Sequence, residues 1–237
     1  MNEKRVSIAM ATYNGEKYID EQLNSILINM SADDELVISD DGSNDATVEI
    51  IKSYKDNRIK LFKGSKTGIK QNFANAIRHS SGKYIFLSDQ DDVWVKNKIE
   101  KVLNVFITSK CTCILHNAEI VDENLVPWNE TFFEFRKSQS GYFRNILKNS
   151  YIGCCMAFDS VLNDIILPIP DTIAMHDQWI GLISEKIGKN ILINDCLIKY
   201  RRHNKNFSGM KHHSINIMLC NRYRLIAELR KRLRTRI

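Results

Sequence analysis

The chain has 237 residues, 43% of them hydrophobic, and a formal net charge of +6, which suits one sizeable core or a domain with an appendage. Three prolines, no Gly/Ser-rich linker, no low-complexity run and no internal repeat argue against a string of linked modules. No apolar run approaches the roughly 20 residues that span a bilayer, and Met1 to Arg5 reads as a lead into a strand, not into a signal-peptide core.

In chain order, Val6 to Ala11 reads as a first strand, broken by Thr12-Tyr13-Asn14-Gly15. The next segment, from Glu16 to Asn29, places Tyr18, Ile19, Leu23, Ile26 and Leu27 at a helical period. Glu35 to Ser39 is a second strand, ending in Asp40-Asp41-Gly42-Ser43, and Asp45 suits the cap of a helix reaching about Tyr54. Arg58 to Phe62 is a third strand, and Gly68 leads into a helix through Phe73, Ala74 and Ile77. The strand Tyr84 to Leu87 and a helix near Lys96 to Ile107 follow. Such alternation predicts a parallel, right-handed α/β sheet, in which ligands bind beyond the carboxyl ends of the strands. Asn14, Asp40, Asp41, Asp89 and Asp91 all fall at such ends, so one sheet edge should gather the polar side chains.

The second half is less regular. Cys113 to Val121 reads as a strand, residues 122–138 as a polar and aromatic stretch, Phe143 to Leu147 as a short helix and Tyr151 to Phe158 as buried. Pro168 and Pro170 mark a loop. His176 opens a helix to about Ile187, Asn190 to Lys199 carries a strand, and Tyr200-Arg201-Arg202-His203 follows.

Asp89 and Asp91 are two apart, so on an extended chain end their carboxylates share a face. Like charges that close repel unless water or a cation compensates them. Hard oxygen ligands suit Mg²⁺ or Mn²⁺, which take one or two carboxylates together with substrate phosphates. A solvated acidic turn is the plain alternative for an isolated Asp-x-Asp. The turn after the first strand holds one glycine, Gly15, so neither the G-x-G-x-x-G of a dinucleotide fold nor a P-loop is present. A nucleotidyltransferase would show a Gly-rich, Arg/Lys-bearing loop there, and that too is missing. Six cysteines at C-x-C and C-C spacings match no common zinc pattern, which predicts idle thiols in a reducing cytoplasm.

Ser7-Ile-Ala-Met-Ala-Thr-Tyr-Asn-Gly15, Ser39-Asp-Asp-Gly-Ser43, Ser88-Asp-Gln-Asp-Asp92 and His176-Asp-Gln-Trp179 together resemble the family 2 glycosyltransferases of the GT-A fold, across roughly residues 5–205. The Gly68-Ile-Lys-Gln-Asn-Phe73 segment, the acidic run on to Trp94 and Tyr200-Arg-Arg-His203 resemble bacterial rhamnosyltransferase-type members. The resemblance implies a GT-A fold: a single, mostly parallel nucleotide-binding sheet flanked by helices. It also implies roles. Thr12, Tyr13 and Asn14 would line the nucleoside pocket, with Tyr13 as a stacking face. Asp41 or Asp40 would hydrogen-bond the donor's pyrimidine, since a carboxylate accepts well from a ring N–H; each equally suits a turn or cap. Lys70, Asp89, Arg201 and Arg202 would contact the nucleotide sugar. Asp91, with His203, would hold Mg²⁺ or Mn²⁺, and Asp92 would be a second ligand or a helix cap. Asp177 would be the general base of a single inverting displacement, although it also suits an N-cap. Trp179 would be an acceptor-sugar platform or helix core.

The implied activity is transfer from a nucleotide-diphosphate donor, dTDP-rhamnose first and a UDP-hexose second, to a saccharide or lipid-linked saccharide of the cell surface. A catalytically inactive glycan-binding module is the non-enzyme alternative, and the intact Asp89, Asp91 and Asp177 argue against it. From Lys199 to Ile237 twelve Lys or Arg face one acid, Glu228, so the body is mildly acidic and the tail basic. Residues 1–205 read as the catalytic domain and 206–237 as a basic amphipathic tail, with Ile215, Met218, Leu219, Leu225, Ile226, Leu229 and Leu233 as its apolar stripe. Such a helix fits the interface of an anionic bilayer, hence a location on the inner face of the cell membrane. Packing on the domain, or pairing with a second subunit as a homodimer, are the other uses of the stripe. No recognition motif for nucleic acid accompanies the charge.

Overall fold

The computed structural model describes residues 4–203 and 215–234. The expected boundary between domain and tail at 205/206, and the last three residues, lie outside them. The first half alternates as expected: β1 (Lys4–Thr12), α1 (Ile19–Leu27), β2 (Asp34–Asp40), α2 (Thr47–Ser53), β3 (Ile59–Lys63), α3 (Ile69–His79), β4 (Gly82–Ser88), then a two-residue β5 (Val93–Trp94) and α4 (Lys98–Ser109). Strands β3, β2, β1 and β4 pair in that order, all parallel. The middles of β1, β2 and β4 are buried apolar runs, Ile8 to Ala11, Leu36 to Ile38 and Ile85 to Leu87, as strands covered on both faces require. On α1, Ile19, Gln22, Leu23 and Ile26 are buried, the three-and-four spacing of a helix laid on a sheet; α3 covers β1 and β2 with Phe73, Ala74, Ala76 and Ile77.

Next come β6 (Cys113–Val121), β7 (Pro127–Thr131), α5 (Phe132–Arg136), α6 (Tyr142–Leu147), β8 (Met156–Asp159), α7 (Asn163–Ile166), α8 (His176–Ile187), β9 (Asn190–Arg201) and α9 (Ile215–Arg234). The sheet continues from β4 through β8, β6 and β9 to β5, with β7 on β6. The expected, mostly parallel sheet is present, with antiparallel strands added in its second half. β8 is antiparallel to both β4 and β6, β5 is antiparallel to β9, and β6 and β9 are parallel. The antiparallel additions β5 and β8 are short, two and four residues, and so few residues carry no period.

Helix α9 lies against α6 and α8. Leu225 and Leu229 of its expected stripe are buried, Arg232 donates to the carbonyls of Ile165, Leu167 and Pro168, and Thr172 donates to Glu228. No helix among the described residues is long and apolar enough to cross a membrane. All six cysteines are free thiols, four of them buried.

Candidate active site

The ends of β1, β2 and β4 bring three polar loops together. In the first, Thr12 is buried and donates from Oγ1 to Asp40 Oδ2 at 2.8 Å. Asp40 also accepts from the backbone N–H of Gly42 and of Ser43 and from the Ser43 hydroxyl. Four donors fill a carboxylate's acceptor sites, so Asp40 ties the turn and is not open to a pyrimidine. Thr12 likewise is framework, not lining. Asp41 accepts one bond on each oxygen, from the N–H of Lys66 at 2.7 Å and of Gly68 at 2.9 Å, which leaves each oxygen a second acceptor position. Asn14 has a left-handed backbone, φ 48°, and its side-chain oxygen accepts from Asn44 N–H. Of the three residues expected to line the nucleoside pocket, Tyr13 offers the open ring, at 53% exposure.

Gln90, inside the acidic run, joins the first loop to the third. Its amide donates to Tyr13 O at 3.0 Å and accepts from Tyr13 N–H at 2.9 Å. Gly15 makes room for it: a Cβ there would lie 2.4 Å from Gln90 Oε1. From below, Gln22 donates to Ser88 Oγ and to the Asp89 carbonyl. A glutamine on the apolar stripe of α1 was the sequence signal for this support.

Asp89, Asp91 and Asp92 follow directly. Asp91 Oδ2 lies 2.8 Å from His203 Nε2, and the His203 ring stacks on Tyr18 at 4.9 Å. The two residues expected to share a metal ion are thus brought together from 112 positions apart. Asp89, Asp92 and the thiol of Cys154 also place one ligand atom each within 4.8 Å of one another. Asp92 is buried; one oxygen accepts from Arg201 N–H, and the other has no hydrogen-bond partner. Burial, then the charges of Asp91 and Asp177, push the Asp89 carboxyl up to about 7. Carboxylates, an imidazole and an unpartnered buried oxygen are a donor set that a hard divalent cation fits. Beneath them Lys98 is fully buried, its ammonium 3.1 Å from the Cys154 carbonyl and 3.8 Å from the Trp94 ring centre. Burial lowers it to about 8, against the charges of Cys155, Cys154, Asp92 and Asp89.

Asp177 enters from the other half, in the first turn of α8. Met175 is the N-cap, so the capping reading of Asp177 is set aside. Its Oδ1 accepts from Gln178 N–H and, at 3.4 Å, from the Asn149 amide. Burial raises it to about 6, opposed by these bonds and by the charge of Arg136. The charge of Asp177 contributes to the raised pKa of Asp89, so the expected base lies within electrostatic reach of the acidic run.

Four expected contacts take other partners. Lys70 donates to the Asp171 and Ile173 carbonyls at 2.7 and 2.6 Å. Arg201 is buried, and its guanidinium donates to the carbonyls of Asp91 and Glu123 and to the Glu21 carboxylate; it braces the acidic run from behind. Arg202 donates to the Tyr200 hydroxyl at 3.0 Å. Trp179 is fully buried, with Nε1 bonded to Ile166 O at 2.9 Å and the Arg232 guanidinium 5.2 Å over its ring. It is helix core, and no face remains for a sugar.

The family model described as "Glycosyl transferase family 2" matches residues 7–165. Over 218 residues, 89% of this chain and 82% of the relative, the sequence is 28% identical to the UDP-Glc:alpha-D-GlcNAc-diphosphoundecaprenol beta-1,3-glucosyltransferase WfgD of Escherichia coli. It is 34% identical to the dTDP-rhamnosyl transferase RfbG of Shigella flexneri over 116 residues, 46% of this chain and 40% of that one. Among solved structures, S. aureus TarS 1-349 in complex with UDP-GlcNAc superposes with a TM-score of 0.72 at 18% identity, covering 96% of this chain and 72% of that one; at that identity the likeness is one of fold.

Proposed function

The chain belongs to glycosyl transferase family 2, and from that premise we propose that it moves a sugar from a nucleotide-diphosphate donor to a saccharide or lipid-linked saccharide in cell-surface polysaccharide synthesis. One observation supports the reading: at the carboxyl edge of the sheet Asp91 lies 2.8 Å from His203, beside Asp89, which feels the charges of Asp91 and the buried Asp177. Tyr13 stacks on the donor base, and Asp41 accepts from its ring N–H through the positions its two backbone bonds leave open. Asp91 and His203 would hold Mg²⁺ or Mn²⁺, with Asp89 beside them. When bound, such an ion neutralises the diphosphate as it leaves. Asp177 takes the proton of the attacking acceptor hydroxyl, and a single displacement inverts the anomeric centre; a base with a pKa near 6 is matched to that task.

For the donor sugar, the match to a UDP-Glc enzyme spans nearly the whole chain and supports a UDP-hexose. The match to a dTDP-rhamnosyl enzyme spans under half of it and keeps dTDP-rhamnose as the second reading. The domain is taken as residues 1–205, with 206–237 as an extension whose helix docks on α6 and α8. A lipid-linked acceptor and the cationic tail together support a peripheral place on the inner face of the membrane. Side-by-side turnover of UDP-glucose, UDP-galactose and dTDP-rhamnose, with the product anomer assigned by NMR, tests this. Transfer with inversion is expected. Retention of configuration, or no transfer from any of the three, overturns it.

A further inference from the structure

We propose that α6 and the outward face of α9 form one lipid-contact surface, which seats the protein on an anionic bilayer beside the mouth of the site. The proposal rests on the peripheral location above and says which surface makes it. Most of the expected stripe of α9 is not available, because Leu225 and Leu229 are buried against the domain and Met218, Ile226 and Leu233 are partly so. α9 turns outward Leu219, the exposed member of that stripe, and Tyr223, at 56% and 75% exposure. Neighbouring α6 exposes Phe143 and Leu147 at 78% and 65%. Each pair is four residues apart and so lies along one helix face. The helices are in contact, and Arg222 donates to the Leu147 carbonyl.

The charge around these anchors selects the partner. Arg144 and Lys148 beside the α6 pair, and Arg224, Arg230, Lys231 and Arg234 on α9, are exposed. The one acid in residues 142–148 and 215–234 is Glu228, which Thr172 already engages. Exposed aromatic and aliphatic anchors among exposed arginines and lysines fit the headgroup boundary of an anionic membrane. A second copy would set cations against cations across a two-fold axis, and a nucleic acid would leave the apolar anchors unused. The position also serves chemistry. Leu147 lies two residues before Asn149, whose amide reaches Asp177, so an acceptor anchored in the bilayer would be delivered on the side of the base.

The test is co-sedimentation of the full chain with vesicles of pure phosphatidylcholine and of a phosphatidylcholine–phosphatidylglycerol mixture. The unaltered chain should pellet with the anionic mixture alone and be released by salt. Phe143→Ser/Leu147→Ser should lower the partition about tenfold. Both residues are exposed, so its melting temperature and its hydrolysis of a soluble donor should match the parent. Undiminished binding of the double variant overturns this surface while leaving the peripheral location standing. No binding of the parent chain to either vesicle overturns both, and a double variant that instead turns a dimer into a monomer assigns the surface to a second copy.

Discussion

Burial holds Asp177 at about 6, so transfer should rise with pH as this carboxylate loses its proton, with the acid limb of kcat/KM near pH 6 instead of near an ordinary carboxylate value. Asp177→Asn should lose roughly 10²–10⁴-fold in kcat, the usual scale of a general base, and the limb with it. Donor affinity by calorimetry should barely move, and a collapse there would reassign Asp177 to donor binding. Asp91→Ala should abolish transfer, and excess chelator should do the same to the parent enzyme until Mn²⁺ or Mg²⁺ is restored; full activity in chelator would remove the ion from the mechanism. The same shifts bear on stability. Asp89 and Asp177 have folded pKa values raised above the unfolded carboxylate range, so the stability they contribute is present at low pH and lost as pH rises through about 6 to 7. The chelated protein should therefore melt higher at pH 5 than at pH 8, and Asp89→Asn should flatten the difference. At this scale the sequence showed which residues carry charge at the sheet edge but not which had room left: Asp40 and Asp41 are neighbours of one type, and only the count of donors on each separates them.

At the scale of elements, the loops after β1 and β4 are joined by a glutamine. Gln90 bonds both the backbone N–H and the carbonyl of Tyr13, each bond worth about 0.5–1.5 kcal/mol. Gln90→Ala should free the loop that carries Tyr13 and raise the donor KM about tenfold, with kcat close to normal. An equal fall in kcat at unchanged KM would show that the loop matters to chemistry and not to donor placement. Elements with a strong period were legible from composition alone: β6 and α8 run as expected, from Cys113 to Val121 and from His176 to Ile187. Those without a period were not. β5 has two residues and β8 four, too few to register alternation. The α9 stripe was read correctly as an amphipathic face, but a stripe states that a helix packs and not on what; here it packs on the domain.

Seen as a whole molecule, the sheet holds a parallel half, β3-β2-β1-β4, and a mixed half beyond it, and the site spans the seam. The parallel half was legible because strand–helix alternation leaves few topologies open. The mixed half was not, because its strands pair across long stretches of chain: β5 with β9, and Asp92 with Arg201 N–H 109 positions later. That last bond has a meaning for the chain as it is being made. At typical synthesis rates, Arg201 is added on the order of 5–20 s after Asp92. Throughout that interval β5 lacks its partner strand and Asp91 lacks His203. The acidic run emerges early and waits, unbraced, for the last strand to arrive. A nascent or prematurely terminated chain that stops short of β9 therefore lacks both the Arg201 N–H that engages Asp92 and the imidazole that meets Asp91.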